Sequence, residues 1–318
     1  MFGMNKESRI PVYMINGFLE SGKTDFISFT IKQDYFRTGE RTLLLLCEEG
    51  EQEYDPKVLK KTNTILEVIE DEEDFTVDAL NYLVNKDKVS RVIIEYNGMW
   101  KHKGITLPEN WVIEQQITLI DASTFPMYFT NMRSMVADMV RGSEMIIFNR
   151  CDGVNDLASF KRNVKAVNPQ AEIIFEGKDG EINMTLDEDL PFDINADVIE
   201  LDNLGYGIWY IDMMDNPGRY EEKTISFVGQ VLKPQKFPKD YFVPGRMAMT
   251  CCADDMAFLG YATHFEGCEN FADKSWVKVT AKIKHEYFAD YEGAGPVLYA
   301  TNVAATGEPE KPVIDFSA

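Results

Sequence analysis

Residues 17–24 read Gly17-Phe18-Leu19-Glu20-Ser21-Gly22-Lys23-Thr24, two glycines framing a turn that ends in a lysine and a hydroxyl residue. Such a turn, a P-loop, curls backbone N–H groups around phosphate oxygens at the start of a helix, so it constrains the chain on both sides. The neighbours comply. Ile10-Pro11-Val12-Tyr13-Met14-Ile15 before it reads as a buried strand, and 25–32 after it as a helix. In that setting Gly17, Glu20, Ser21, Gly22, Lys23, Thr24 and Asp25 are the candidate nucleotide-contacting positions. Lys23 would reach the β- and γ-phosphates as a binding and catalytic group, and the Thr24 hydroxyl would hold Mg²⁺.

The same alternation continues to about residue 176. Apolar runs at 42–47, 64–69, 91–95, 116–121, 145–148 and 171–175 read as strands, with helical stretches at 76–86, 123–141 and 157–167 between them. Several runs are continuously apolar, as expected of parallel strands covered on both faces. The expected fold class is α/β, a doubly wound, mostly parallel sheet. From 222 onward period-two stretches dominate, at 224–232, 246–252, 276–283 and 297–303, and predict a smaller, mostly antiparallel β domain of OB-like barrel type.

The chain is 318 residues long with a net charge of −21, which argues against a nucleic-acid partner because phosphate neutralisation needs clustered Lys and Arg. No stretch reads as a signal peptide or as a direct membrane insertion, for which about 18 apolar residues are needed. The five cysteines form no evident disulfide framework, and a reducing cytoplasm is the expected compartment.

Two further motifs sit at strand ends. Glu95-Tyr96-Asn97-Gly98 follows 91–95, and Asn149-Arg150-Cys151-Asp152 follows 145–148. Ligands of open α/β sheets lie at the carboxyl ends of strands, so the three motifs support one another. Glu95 is a candidate for the Mg²⁺ shell or the attacking water. Asp152 can accept both N1–H and the exocyclic amine of guanine, Asn149 would brace the loop, and the Arg150 stem would lie along the base.

This ordered set resembles the G3E family of P-loop GTPases, in its CobW-like branch of metallochaperones, over about residues 8–177. Cys47-Glu48-Glu49-Gly50-Glu51, with Asp55 beyond, is similar to that branch's switch segment. Thr118 to Asp121 and Asn168-Pro169-Gln170-Ala171 match two more of its signatures. The resemblance implies GTP and Mg²⁺ as ligands, Glu48 or Glu95 supporting the metal or the water, and delivery of a metal ion or metal cofactor. The branch's Cys-x-Cys-Cys motif is replaced by Glu70-Asp71-Glu72-Glu73, which reads more readily as a solvated acidic loop. Glu20 and Asp25 also depart from the family, placing carboxylates beside the phosphate path.

In the second half, Gly245-Arg246-Met247-Ala248-Met249-Thr250-Cys251-Cys252-Ala253-Asp254-Asp255 is the distinctive string. Cys251 and Cys252 are candidate ligands for a transition metal such as Zn²⁺, although adjacent strand residues face opposite ways without a bulge. With Asp215-Asn216-Pro217-Gly218-Arg219-Tyr220 before it and Trp276-Val277-Lys278-Val279 after, it resembles the YcgQ-like family, described as the soluble partner of a two-component membrane permease. His102 and His285 lie in polar sequence surroundings and are assigned no role.

The expected organisation is 1–180 as a G3E/CobW-like domain, 181–200 as an acidic linker and 201–318 as a β-rich YcgQ-like domain. The first functional reading is a Mg²⁺-dependent GTP-binding protein, a slow GTPase in metal handling. Its partners would be a metal-receiving protein or a permease, and a homo-oligomer is allowed. The second is a degenerate P-loop protein acting as a binding module of a transporter. A third keeps the loop with ATP as ligand.

Overall fold

The computed structural model describes residues 9–37, 39–182, 190–249 and 256–316. They fall into two compact units. One runs to Leu157 and takes in the stretch from Gln170 to Ile182; the other holds 158–169 and everything described from Leu190 on.

The first unit is built on eight strands: β1 (Ile10–Asn16), β2 (Thr42–Leu46), β3 (Thr64–Val68), β4 (Arg91–Glu95), β5 (Trp111–Asp121), β6 (Met145–Asn149), β7 (Glu172–Gly177) and β8 (Gly180–Glu181). They lie in the order β3-β2-β4-β1-β5-β6-β7-β8, and every pairing is parallel except the short β7–β8 turn. Alternate residues of each strand serve opposite faces. Val12, Met14, Leu43, Leu45, Val92 and Ile94 join one core layer. Their neighbours Ile15, Leu44 and Ile93 join the other. The sheet is therefore buried on both sides, which is why its strands read as unbroken apolar runs. This is the expected doubly wound α/β architecture.

The helices of this unit are α1 (Lys23–Thr30), α2 (Pro56–Lys61), α3 (Val77–Asp87), α4 (Phe125–Asn131) and α5 (Arg133–Arg141). The continuous helix expected over 123–141 is instead two helices. Met132, at φ −135° and ψ 35°, leaves the helical region and ends one while it starts the other. α2 is additional: Asp55 caps it by accepting from Lys57 N–H at 2.8 Å, and Pro56 occupies its first turn, where no N–H is needed. β1 lies between β4 and β5 at the point where the strand order reverses, and its carboxyl end runs straight into the glycine turn. The fold thus delivers 17–24 to the crevice where α/β sheets bind ligands.

The second unit contains α6 (Leu157–Val167) from Ala158 on, α7 (Asn203–Asp215), and strands β9 (Ile199–Glu200), β10 (Thr224–Leu232), β11 (Tyr241–Met249), β12 (Met256–Gly260), β13 (Thr263–His264), β14 (Trp276–Phe288), β15 (Gly293–Ala305) and β16 (Val313–Asp315). The pairings β10–β11, β11–β13, β13–β15, β15–β14 and β14–β10 close a ring; only β13–β15 is parallel. A closed five-strand ring of this connectivity is the OB-type barrel expected from the period-two stretches. Its core is aromatic, with Tyr206, Trp209, Phe227 and Phe242 packed on Val277, Val279 and Ala281.

Residues of both motifs in this unit have structural roles, three of them through Asp212. Asp212 accepts from the Tyr220 hydroxyl at 2.5 Å and from Asn216 Nδ2 at 2.8 Å, and pairs with Arg219 at 3.0 Å. Arg246, 3% exposed, donates to Pro312 O at 3.2 Å, to Lys311 O and to Asn203 Oδ1. It thereby ties β11 to the start of α7 and to the approach to β16. Cys251 and Cys252 lie outside the described residues.

Candidate functional site

The cradle depends on three glycines. Gly22 caps α1 at φ +92° and Gly17 leaves β1 at φ +144°, both conformations that disfavour a side chain. Gly98 is required by proximity, because a Cβ there would fall 2.4 Å from Gly17 O and 2.8 Å from Phe18 Cα. The Glu95-x-x-Gly98 motif therefore packs its glycine directly on the entry of the loop.

The loop is braced from β6. Asn149 Nδ2 donates to Ser21 O at 2.7 Å, and Arg150 Nη1 donates to Glu20 O at 2.8 Å and to Asp121 Oδ2 at 2.5 Å. Burial alone would raise the Asp121 carboxyl, but hydrogen bonds from Ser123 and Arg150 outweigh it and hold the group below its ordinary range. The three motifs thus converge at one place.

Lys23 is 4% exposed, and its ammonium donates to Gly17 O at 2.8 Å, Phe18 O at 2.9 Å and Glu48 Oε2 at 2.7 Å. Thr24 Oγ1 donates to Glu95 Oε1 at 2.8 Å, and the Tyr54 hydroxyl donates to Glu95 Oε2. Glu95 is 2% exposed, and burial pushes its carboxyl upward although Tyr54, Thr24 and Lys23 oppose the shift. Burial also raises the Tyr54 hydroxyl and the Cys47 thiol, and Glu95 adds to both. An oxygen-rich corner thus faces the first turn of α1.

Leu19, Glu20, Gly22–Asp25, Glu48, Gly50, Gln52, Glu95 and Arg150 line a polar pocket of about 50 Å³. A larger apolar pocket of about 250 Å³ lies on the other side of the loop, walled by Phe18, Leu119, Phe125, Tyr128, Val136 and Met139.

The structure brings Gly17, Ser21, Gly22, Lys23, Thr24, Glu48, Glu95, Asn149 and Arg150 together around the loop. Glu20 stays on the loop, but its carboxylate reaches segment 48–51 and accepts from Glu51 N–H at 2.9 Å. Asp25 is exposed. Asp152 sits beyond the brace and accepts from Lys178 N–H at 2.8 Å in the β7–β8 turn. Of the acidic run, Glu72–Asp74 forms a short exposed 3₁₀ turn, and Glu72 accepts from Lys101 N–H at 3.2 Å. Among the described residues no three His, Cys, Asp or Glu side chains are grouped to hold a metal ion.

Two site residues escaped the sequence reading. Tyr54 lies inside the switch-like segment, and its only signal was its place just before the Asp55–Pro56 helix start. Asp121 ends its strand beside the loop, and an acid at that place is the sequence signal for its pairing with Arg150. His102, assigned no role, packs edge-on against Tyr96 at 5.0 Å, and neither buried ring nitrogen has a hydrogen-bond partner.

A glycine turn between the first strand and first helix, braced by a second loop and backed by a buried lysine, defines a P-loop nucleotide-binding protein. The chain belongs to the family described as CobW/HypB/UreG, nucleotide-binding domain, which it matches over residues 11–175. Residues 179–314 match a second family, described as the DUF1980 C-terminal domain.

Solved structures are similar to the chain at low identity. The Zn(II)-bound YjiA GTPase from E. coli is 19% identical with a TM-score of 0.40, covering 56% of this chain and 60% of that one. HypB from Archaeoglobus fulgidus is 17% identical with a TM-score of 0.42, covering 54% and 84%. HypB from Helicobacter pylori in complex with nickel is 16% identical with a TM-score of 0.33, covering 52% and 79%. The chain thus spans 60% of the length of YjiA. No curated protein matches it. Among the described residues no helix is long and apolar enough to cross a membrane.

Proposed function

We propose that this protein binds GTP with Mg²⁺ and hydrolyses it slowly, as the switching half of a system that handles a metal ion or metal cofactor. The observation that carries the reading is the preformed brace: Asn149 and Arg150 hold Ser21 and Glu20 by their carbonyls, with Lys23 buried behind the turn. A glycine turn held in this way at the start of a helix presents backbone N–H groups to an anion.

Lys23 would hold the β- and γ-phosphates. Asp152 would select guanine, with the Arg150 stem along the base. The oxygens at the first turn suit a hard cation: the Thr24 hydroxyl, which donates a hydrogen bond to Glu95, and the carboxylates of Glu48 and Glu95. Mg²⁺ held there would neutralise phosphate charge. The buried, Tyr54-anchored Glu95 would orient the attacking water or a water of the metal shell. Both cations lining the pocket are already engaged, Lys23 with Glu48 and Arg150 with Asp121, which supports slow rather than fast turnover.

The division into a nucleotide-binding half (1–180), an acidic linker (181–200) and a β-rich half (201–318) belongs to the same reading. So do a cytoplasmic location, a membrane permease or metal-receiving partner, and Cys251 and Cys252 as thiolate ligands for a metal such as Zn²⁺. The competing reading, a binding module without turnover, is favoured by the four acids Glu20, Asp25, Glu48 and Glu95 at the pocket.

Phosphate release from GTP and from ATP, with and without Mg²⁺, separates these readings. The proposal expects Mg²⁺-dependent release from GTP over ATP, with the preference lost in Asp152→Ala. Binding of GTP without release would favour the module, and equal use of ATP would remove the guanine assignment.

A further inference from the structure

Segment 48–51 is attached to the phosphate loop at two points. Glu48 Oε2 accepts a hydrogen bond from the Lys23 ammonium at 2.7 Å, and the Glu51 N–H donates to Glu20 Oε1 at 2.9 Å. Between them Gly50 passes so near the Glu20 carboxylate that a Cβ on it would fall 2.8 Å from Oε1. Glu20 itself holds φ +61°, a left-handed conformation in which a non-glycine residue is disfavoured, and this aims its side chain across the pocket mouth. Glu20, Lys23, Glu48 and Gly50 all line that pocket.

These contacts compete with a ligand. The Lys23 ammonium has three protons, and the structure gives one each to Gly17 O, Phe18 O and Glu48. A polyphosphate that recruits Lys23 competes with Glu48, the one anionic acceptor of the three, and so with the segment that Glu20 fastens.

We propose that Glu20 is a clasp: its carboxylate holds segment 48–51 closed over the phosphate pocket through the Glu51 amide, so that polyphosphate enters only when the clasp opens. The inference deepens the nucleotide-binding reading and rests on it for the identity of the ligand. It reassigns Glu20 from contacting nucleotide to gating it.

Glu20→Gly and Glu20→Gln test it in the full chain. Glycine removes the acceptor and suits φ +61°, so folding is spared. Glutamine keeps a carbonyl acceptor and removes the charge. In nucleotide-free protein, amide hydrogen exchange at Glu51 should quicken by about tenfold in Glu20→Gly and stay within about threefold of wild type in Glu20→Gln. Unchanged exchange in Glu20→Gly would overturn the clasp, and this readout does not depend on whether any nucleotide binds. With GTP and Mg²⁺ as the probe, the association rate should rise more in Glu20→Gly than in Glu20→Gln. An equal or larger rise in Glu20→Gln would assign the effect to charge repulsion and overturn the clasp as the gate.

Discussion

Asn149 Nδ2 donates to the Ser21 carbonyl at 2.7 Å, joining residues 128 positions apart. The contact ties the end of β6 to the centre of the glycine turn. Asn149→Ala removes the donor and leaves that carbonyl without it, which costs about 1–2 kcal/mol. Equilibrium urea unfolding should show a lower midpoint, and an unchanged midpoint would contradict the brace.

Gly98 offers a sharper test of the same assembly. A methyl group there meets the backbone of Gly17 and Phe18, which has no rotamer by which to yield. Gly98→Ala should destabilise the protein by about 1–3 kcal/mol. Gly307→Ala, whose Cβ would meet nothing within 4 Å, is the control and should be near neutral. Equal thermal shifts for the two variants would contradict the packing.

His102 makes stability depend on pH. Burial first, and then Lys23, push its imidazole down from 6.5 to about 4. Between those values the unfolded chain binds a proton that the folded chain refuses, so the contribution of neutral His102 is fully present above pH 6.5 and lost as pH falls towards 4. The full loss is about 3 kcal/mol. His102→Phe keeps a ring against Tyr96 and cannot titrate. Its stability should fall less than that of wild type over this window; identical pH profiles would contradict the assignment.

Arg246 predicts a different outcome from a metal-site reading of its string. It supplies donors to Pro312 O, Lys311 O and Asn203 Oδ1 from an almost fully buried position. Arg246→Met leaves those acceptors unsatisfied and should cost about 3–5 kcal/mol. Circular dichroism melting would reveal it, and a variant as stable as wild type would contradict the structural role.

Much of this was legible in the chain. Parallel strands such as Leu43–Leu45 are buried on both faces, so their continuous apolarity announces them, and the glycine turn fixes where the first one ends. α7 was not legible because Tyr206, Ile208, Trp209, Ile211 and Met213 bury nearly its whole circumference and leave no polar stripe for a helical period to show. The break at Met132 has neither glycine nor proline to mark it. At the site, residue types indicated which groups assemble but not where each carboxylate turns. The sequence placed Glu20 against phosphate, whereas its left-handed backbone directs it to Glu51. Tyr54 reaches Glu95 only through the β2–α2 connection, a contact that no local spacing encodes.

Isothermal titration of the full chain with GTP and Mg²⁺, beside Lys23→Ala, tests the central claim most directly. The account predicts saturable binding by wild type and, because a buried charge-assisted contact to phosphate is lost, at least about tenfold weaker binding by the variant. No heat of binding by wild type at millimolar GTP, or equal affinity for the two proteins, would contradict it.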